Sequence, residues 1–456
     1  MHELTFQSHR GDAGPPTWGQ REQWETVLAN RPHDHRFNEP FLYSLPRSLP
    51  LSRVLASLGA LVERHEGLRT AFLPDGDGDG DGSLRQAVVR EGSVRVPVVE
   101  AGTRSGLAEA RELMREAWSH GFVAGPEFHA RLALVVQHGR PRWLTGALSH
   151  LVIDRTSMRI LERDFRALLD GADSRHLPPI THQPLDQAAA EQSPQGQARL
   201  ETTLRRWRSG FESAPRSLFR TTVDNSPQPG FPAVELYAKG LGTRAQSIAT
   251  KLNVRPSAVF VAAGAAALAW VQRLDRFGMI MTCSNRKDPR TKDHVGPLAQ
   301  QGLVPVETGT SFYDMVTRIW PALLLTYRTS SYDLSALDAM FPDVTEECGT
   351  SVDHFVNFMG YDEPLPYDAR VARLADGESV CERVAPVPST RLRFGLFLDS
   401  DGDTVRGRMF GNGRYVDAET MHAVLCGVND LLLTAANGDV DWPVDAAFTR
   451  FTRGRG

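Results

Sequence analysis

Ser149-His150-Leu151-Val152-Ile153-Asp154-Arg155 is the stretch on which the reading of this chain turns. It follows an apolar run, Trp143-Leu144-Thr145-Gly146-Ala147-Leu148, with the look of a strand, and precedes Thr156 to Leu169, which reads as a helix. A histidine at a strand end with a carboxylate four residues on is one way to hold an imidazole rigidly enough to act as a base. The same residues also suit a satisfied strand-edge histidine followed by a helix-capping aspartate. The rest of the chain decides between the two.

Working outward, Arg131 to Val136 and Arg142 to Leu148 form a hairpin through His138-Gly139-Arg140 that delivers His150 at the end of its second strand. Upstream, the spacing predicts a helix from Thr17 after the breaker Pro15-Pro16. A second helix, Leu51 to Arg69, places Val54, Leu55, Leu58, Leu61 and Val62 at intervals of three and four, the signature of a core face. Strands are expected at 84–89 and 93–99 and a helix at 105–121. The proline-broken, apolar-poor run from Asp170 to Pro184 suggests a division into an N-terminal lobe, 1–180, and a C-terminal lobe, 181–456. Beyond it come a polar helix through Trp207, a strand at 233–237, a helix at 243–251 and an Ala-rich helix, Pro256 to Leu274, that reads as buried scaffold. A strand at 278–283 runs into the polar loop Ser284-Asn285-Arg286-Lys287-Asp288. Further strands are expected at 352–358, 392–398 and 405–410, the last two antiparallel across Ser400-Asp401-Gly402-Asp403, with a closing helix at 417–432. Strands and helices interleave without strict βαβ alternation, so a mixed α/β (α+β) fold in two lobes is expected.

Composition narrows the function. The 456 residues are 41% hydrophobic and 23% charged with a net charge of −4, giving no reason to expect nucleic acid or an anionic membrane as partner. No apolar stretch is long enough to span a bilayer and the N-terminus lacks a signal peptide's apolar segment, so a cytoplasmic protein is expected. Cys283, Cys348, Cys381 and Cys426 stand far apart, a spacing that suits neither a local zinc site nor a disulfide framework, and no metal is expected. Asp75 to Gly82 mimics a calcium loop but has no glutamate at the liganding twelfth position; it reads as a surface loop. No Walker-type lysine loop or strand-flanked GxGxxG appears.

With the motif placed, nearly the whole chain resembles a condensation domain of nonribosomal peptide synthesis, in the chloramphenicol acetyltransferase-like superfamily. Leu61-Val62-Glu63-Arg64-His65-Glu66-Gly67-Leu68-Arg69-Thr70-Ala71-Phe72 is close to the family's RHExLRTxF segment. Ser149 to Arg155 stands for its HHxxxDG motif, Arg206-Trp207 echoes YWxxxL, and Asn285-Arg286 with Val295-Gly296-Pro297 resembles its NR…VGP segment. No adenylation or carrier segment is recognised alongside, which suggests a free-standing member.

The resemblance implies two lobes in a V with a tunnel between them, in which an acyl group on a carrier protein's phosphopantetheine arm, or on coenzyme A, meets a small amine or alcohol acceptor; no permanently bound cofactor is implied. On this pattern His150 positions or deprotonates the nucleophile, and Asp154 pairs with Arg286 from the second lobe to hold the site. Asn357 is the candidate oxyanion donor. Ser149 and Arg155 replace the motif's first His and its Gly, and are candidates for substrate contact, Arg155 towards an anionic group. Those departures leave room for a second role, a module that binds carrier-bound substrates and recruits partner enzymes. An epimerisation-type domain is a third reading, weakened by the lack of an EGHGR-like element.

Overall fold

A computed structural model describes residues 2–74, 84–102, 105–172, 176–213, 217–223, 230–348, 353–360, 365, 371–388 and 392–442. The chain divides into two compact units: Met1–Glu201 with Ser284–Ala299 and Ser331–Ser335, and Thr202–Cys283 with Gln300–Ser330 and Ala336–Gly456.

In the first unit the order is β1 (His2–Gln7), β2 (Asp12–Gly14), α1 (Trp18–Ala29), β3 (Asn38–Ser44), α2 (Leu51–Arg64), β4 (Thr70–Pro74), β5 (Leu84–Val88), β6 (Glu91–Val96), β7 (Val98–Glu100), α3 (Gly106–Trp118), β8 (Ala130–Gln137), β9 (Arg140–Ser149), α4 (Arg155–Leu169) and α5 (Pro184–Gln192). α6 (Pro194–Ser213) starts there and runs across the division. The sheet that carries the motif has the order β3-β9-β8-β7. β8 and β9 form the expected antiparallel hairpin, with His138 and Gly139 at φ 54° and 71° in its turn. Val54, Leu58, Leu61 and Val62 of α2 pack with Ile160, Leu161, Phe165 and Leu168 of α4 and with Leu144 and Leu148 of β9. The apolar stripes of two helices and one sheet face thus close the core directly behind the motif.

The second unit contains β10 (Ala233–Ala238), α7 (Leu241–Leu252), α8 (Pro256–Gln272), β11 (Arg276–Cys283), β12 (Gln300–Glu307), α9 (Phe312–Arg328), all but the first two residues of α10 (Leu334–Cys348), β13 (His354–Gly360), β14 (Ser379–Val384), β15 (Phe394–Ser400), β16 (Val405–Gly411) and α11 (Ala418–Ala435). Its seven-stranded sheet runs β12-β11-β13-β15-β16-β10-β14. β13 is parallel to both neighbours and the remaining pairs are antiparallel. Every residue of α8 from Ala258 to Ala269 is buried, as its Ala-rich sequence predicts. Among the described residues no single helix is long and apolar enough to cross a membrane.

Several expectations change. β3 lies outside the expected elements because Pro40 interrupts its pattern; among the described residues it pairs with β9 alone, and that edge position tolerates the missing N–H. β12 and α9, the latter with Pro321 inside it, were also not recognised as elements. The division at 180 shifts because α5 is tied back by the Arg10–Asp186 bond of 2.9 Å and by the Trp18 N–H donating to Glu191 at 2.8 Å. Residues 284–299, expected in the C-terminal lobe, pack in the first unit. Cys381 and Cys426, far apart in sequence, come together with His422, a proximity that their spacing does not show. The Asp75 to Gly82 run lies outside the described residues.

α1 shows how tightly residues 284–299 are held. Thr17 and Gln20 exchange capping-box bonds of 3.1 and 2.8 Å, fixing the first turn. Gly19, buried in that turn, lies so close to the returning segment that a Cβ on it would stand 2.0 Å from the Pro297 carbonyl oxygen. Gly19→Ala is therefore expected to destabilise the first unit by about 1–3 kcal/mol through overpacking against backbone. A lower urea midpoint, followed by the fluorescence of Trp18 and Trp24, would show this; an unchanged midpoint would mean the segment yields freely.

Candidate active site

The motif loop is built by ending a strand and starting a helix within five residues. Ser149 closes β9: its hydroxyl accepts from the Leu151 N–H at 3.2 Å, and its carbonyl accepts from the Val152 N–H at 3.0 Å. Leu151, Val152 and Ile153 are buried in the core, anchoring the turn from below. His150 is carried on this anchored turn with its side chain 25% exposed. Its Nδ1 lies 3.2 Å from the Ile153 carbonyl oxygen, which can only accept, so Nδ1 carries a proton and Nε2 is the outward nitrogen.

Asp154 performs two tasks at once. As the N-cap of α4 it accepts from the Ser157 N–H and hydroxyl, both at 2.9 Å. It also receives a bidentate fork from Arg286, at 2.6 and 2.8 Å, and the N–H groups of Leu298 and Ala299 at 3.2 and 3.3 Å. The Ser157 hydroxyl accepts from the Gly296 N–H at 3.1 Å. Burial alone would push the Asp154 pKa up, but the Arg286 guanidinium and the Ser157 donors outweigh it and the pKa is lowered. The pairing inferred from resemblance is present. The origin of Arg286 is corrected, since its segment belongs to the first unit, captured there by these bonds.

The segment 61–72 buttresses the same elements. Asp164 on α4 accepts from Arg64 at 2.7 Å and lies 3.1 Å from His65 Nε2, while Arg163 links it to Asp293 through contacts of 2.8 and 2.7 Å. A Cβ on Gly67 would meet the carbonyls of both Val152 and Val295 within 3.2 Å, so the absence of a side chain allows the close approach.

Glu39 is the residue that sequence reasoning missed. In the β3–β9 register Asn38 faces Ser149 and Glu39 faces Leu148, which brings the Glu39 carboxylate to 3.0 Å from His150 Nε2. Only the cross-strand register reveals this, and β3 itself was not recognised. Burial lowers the His150 pKa, but the hydrogen bond and charge of Glu39, with help from the Ile153 carbonyl and Asp154, outweigh it and the pKa is raised. The Glu39 pKa is lowered, first by the bond to His150 and further by the charges of His150 and Arg155, against burial. Both ring nitrogens thus face acceptors, an arrangement fully satisfied only by the imidazolium.

The other candidates are distributed unevenly. Ser149 is buried with its hydroxyl bonded to backbone, a loop-closing place. Arg155 is the exposed first residue of α4 and its charge reaches Glu39. Asn357 lies in the second unit, half-buried on β13 opposite Phe397 of β15.

A family model described as the condensation domain matches residues 17–368. Phosphinothricin tripeptide synthetase PhsC of Streptomyces viridochromogenes is 28% identical over 307 residues, 61% of this chain and 27% of that protein. The chain spans about a quarter or less of the length of the first curated relatives it matches. Among solved structures, the condensation domain that mediates chain release from the enacyloxin polyketide synthase aligns at TM-score 0.68 and 20% identity, over 96% of this chain and 82% of that one. The X-domain in its complex with OxyB from teicoplanin biosynthesis aligns at 0.64 and 18%, over 94% of each chain. At these identities the likeness is one of fold.

The Asp154–Arg286 pair should behave as an inseparable unit. Asp154→Asn preserves a capping side chain but removes the charge; Arg286→Ala leaves the carboxylate buried and unpaired. Each is expected to cost about 3–5 kcal/mol, and a double-mutant cycle on unfolding free energy should show coupling of at least about 0.5 kcal/mol. Because the Asp154 pKa is depressed, its contribution is present above the ordinary aspartate range and is lost as pH falls through the folded value. Acid unfolding should therefore begin at higher pH in Arg286→Ala than in the wild type.

Proposed function

The chain belongs to the condensation-domain family, and on that premise we propose that it is a condensation-type acyltransferase, joining an acyl or aminoacyl thioester on a carrier protein or coenzyme A to a small amine or hydroxyl acceptor. The observation that carries this reading is the anchored His150, whose Nδ1 is committed to a backbone carbonyl so that Nε2 alone is left for chemistry. In the reaction the acceptor nitrogen or oxygen attacks the thioester carbonyl, the C–S bond breaks, and the acceptor's proton passes through Nε2 to the departing thiolate. Asp154 and Arg286 hold the loop and take no part in proton transfer. Asn357 remains a proposed oxyanion donor and Arg155 a proposed contact for an anionic group.

Glu39 adds a condition to this mechanism. A base needs a neutral imidazole with a free Nε2 lone pair, whereas Glu39 favours the imidazolium. Its side chain is 44% exposed, on an edge strand. An acceptor arriving as an ammonium ion can pair with Glu39 in place of His150; the imidazolium then loses its Nε2 proton to solvent, the neutral ring takes one proton from the ammonium to free the lone pair that attacks, and the amine's second proton goes to the departing thiolate. This favours amines over alcohols as acceptors. The occupied Nε2 equally supports the second reading, a substrate-binding module in which the pair stays closed and recruitment replaces catalysis.

Two variants separate these readings, assayed with acyl-N-acetylcysteamine thioesters and a panel of amines and alcohols. His150→Ala is expected to fall below about a tenth of wild-type turnover while keeping its fold by circular dichroism, since a positioned base contributes roughly 10²- to 10⁴-fold. Retention of more activity would remove His150 from the mechanism. Glu39→Gln removes the charge that raises the His150 pKa, so the acidic limb of the kcat/KM profile should move to lower pH. An unmoved limb would assign Glu39 a packing role only, and no turnover in any of the three proteins would favour the binding module.

A further inference from the structure

Away from this site, in the second unit, β14 and α11 bring together two thiols and an imidazole that the acyl-transfer reading does not use. His422 and Cys426 are four residues apart on α11, the spacing that places two side chains one above the other on a helix face. Cys381 arrives from β14, the last strand of the seven-stranded sheet, paired on one side only with β10. The candidate donor atoms of all three lie within 4.8 Å of one another, and Cys426 Sγ is 3.6 and 3.7 Å from the two ring nitrogens of His422. Cys381 and Cys426 are not joined by a disulfide.

We propose that Cys381, His422 and Cys426 form a binding site for a single thiophilic divalent ion, Zn²⁺ in particular. Zinc–sulfur bonds of about 2.3 Å and zinc–nitrogen bonds of about 2.0–2.1 Å, set at tetrahedral angles, separate neighbouring ligand atoms by roughly 3.4–3.8 Å. The His422–Cys426 pair stands near that separation, with the sulfur almost equidistant from both ring nitrogens, so the imidazole must turn to aim one lone pair at a shared metal while the α11 backbone stays in place. Rotation of the imidazole about its own bond to Cβ selects which nitrogen faces the metal. Two sulfurs and one nitrogen are a donor set that takes zinc and discriminates against the hard ions calcium and magnesium. His422 and Cys381 are half-buried, which leaves a path for the ion and a fourth corner for water. On binding, each thiol releases its proton to solvent and becomes a thiolate ligand, so affinity rises with pH. Bound metal would fasten the terminal strand β14 to α11, an attachment otherwise carried by side-chain packing and one row of strand hydrogen bonds.

The test uses the full-length chain, purified under reducing conditions, stripped with chelator and titrated with Co²⁺ and then Zn²⁺. The expected result is one equivalent bound, tetrahedral Co²⁺ d–d bands with thiolate-to-cobalt charge transfer, bleaching of both by Zn²⁺, and a melting temperature raised by about 3 °C at a hundredfold excess over the dissociation constant. Cys381→Ser and His422→Ala, both at half-buried positions, should each weaken binding roughly 100-fold or more while leaving acyl transfer by His150 unchanged. Cys426 is buried, so its substitution is not relied on. Absence of the charge-transfer band, Co²⁺ binding undiminished in both variants, or a Cys381–Cys426 disulfide in the protein as isolated would each overturn the proposal.

Discussion

A single buried carboxylate organises the first unit. Asp154 accepts from the backbone of its own helix, from Ser157, from the guanidinium of Arg286 and from two N–H groups near the end of the 284–299 segment. A charge removed from water is costly when alone, and each of these donors offsets part of that cost. The saturation of both oxygens explains why a distant stretch of chain returns to this point. It also ties the turn bearing His150 to α4 and the returning segment, because both are fixed by the same few bonds.

The environment of His150 contains a conflict between orientation and reactivity. Its two neighbours at the ring nitrogens are both acceptors, which orients the imidazole firmly but favours its protonated form. The Ile153 carbonyl is part of the anchored turn and cannot withdraw. Glu39 sits on an edge strand with a half-exposed side chain, and is the partner that can. Rigidity is therefore supplied from beneath the ring and adjustability from beside it.

Much of the fold was legible because strong local signals agreed with the tertiary outcome. The stripe along α2, the Ala-rich α8, the β8–β9 hairpin with its His138-Gly139 turn and the strand-end place of His150 all follow from periodicity and turn chemistry. What escaped depends on register and long-range return. Pro40 hid β3, and with it Glu39, since nothing local says that residue 39 will lie across from Leu148. Arg286 was identified, yet the compositional boundary near 180 could not show that its segment folds back with the first unit. The cysteines follow the same pattern: one-turn spacing on α11 pairs His422 with Cys426, and the sheet brings in Cys381.

The late position of Arg286 has a consequence for how the protein is made. It lies 132 residues beyond Asp154, so at ordinary elongation rates the ribosome adds the clamp on the order of ten seconds after the carboxylate has emerged. During that interval Asp154 cannot be buried at acceptable cost, and the turn carrying His150 has its helix cap but not its fork. The N-terminal portion is thus not a self-sufficient folding unit during synthesis. A nascent chain halted before residue 299 would expose the incomplete region to chaperones and proteases, and a fragment cut at the compositional boundary would inherit the same defect permanently.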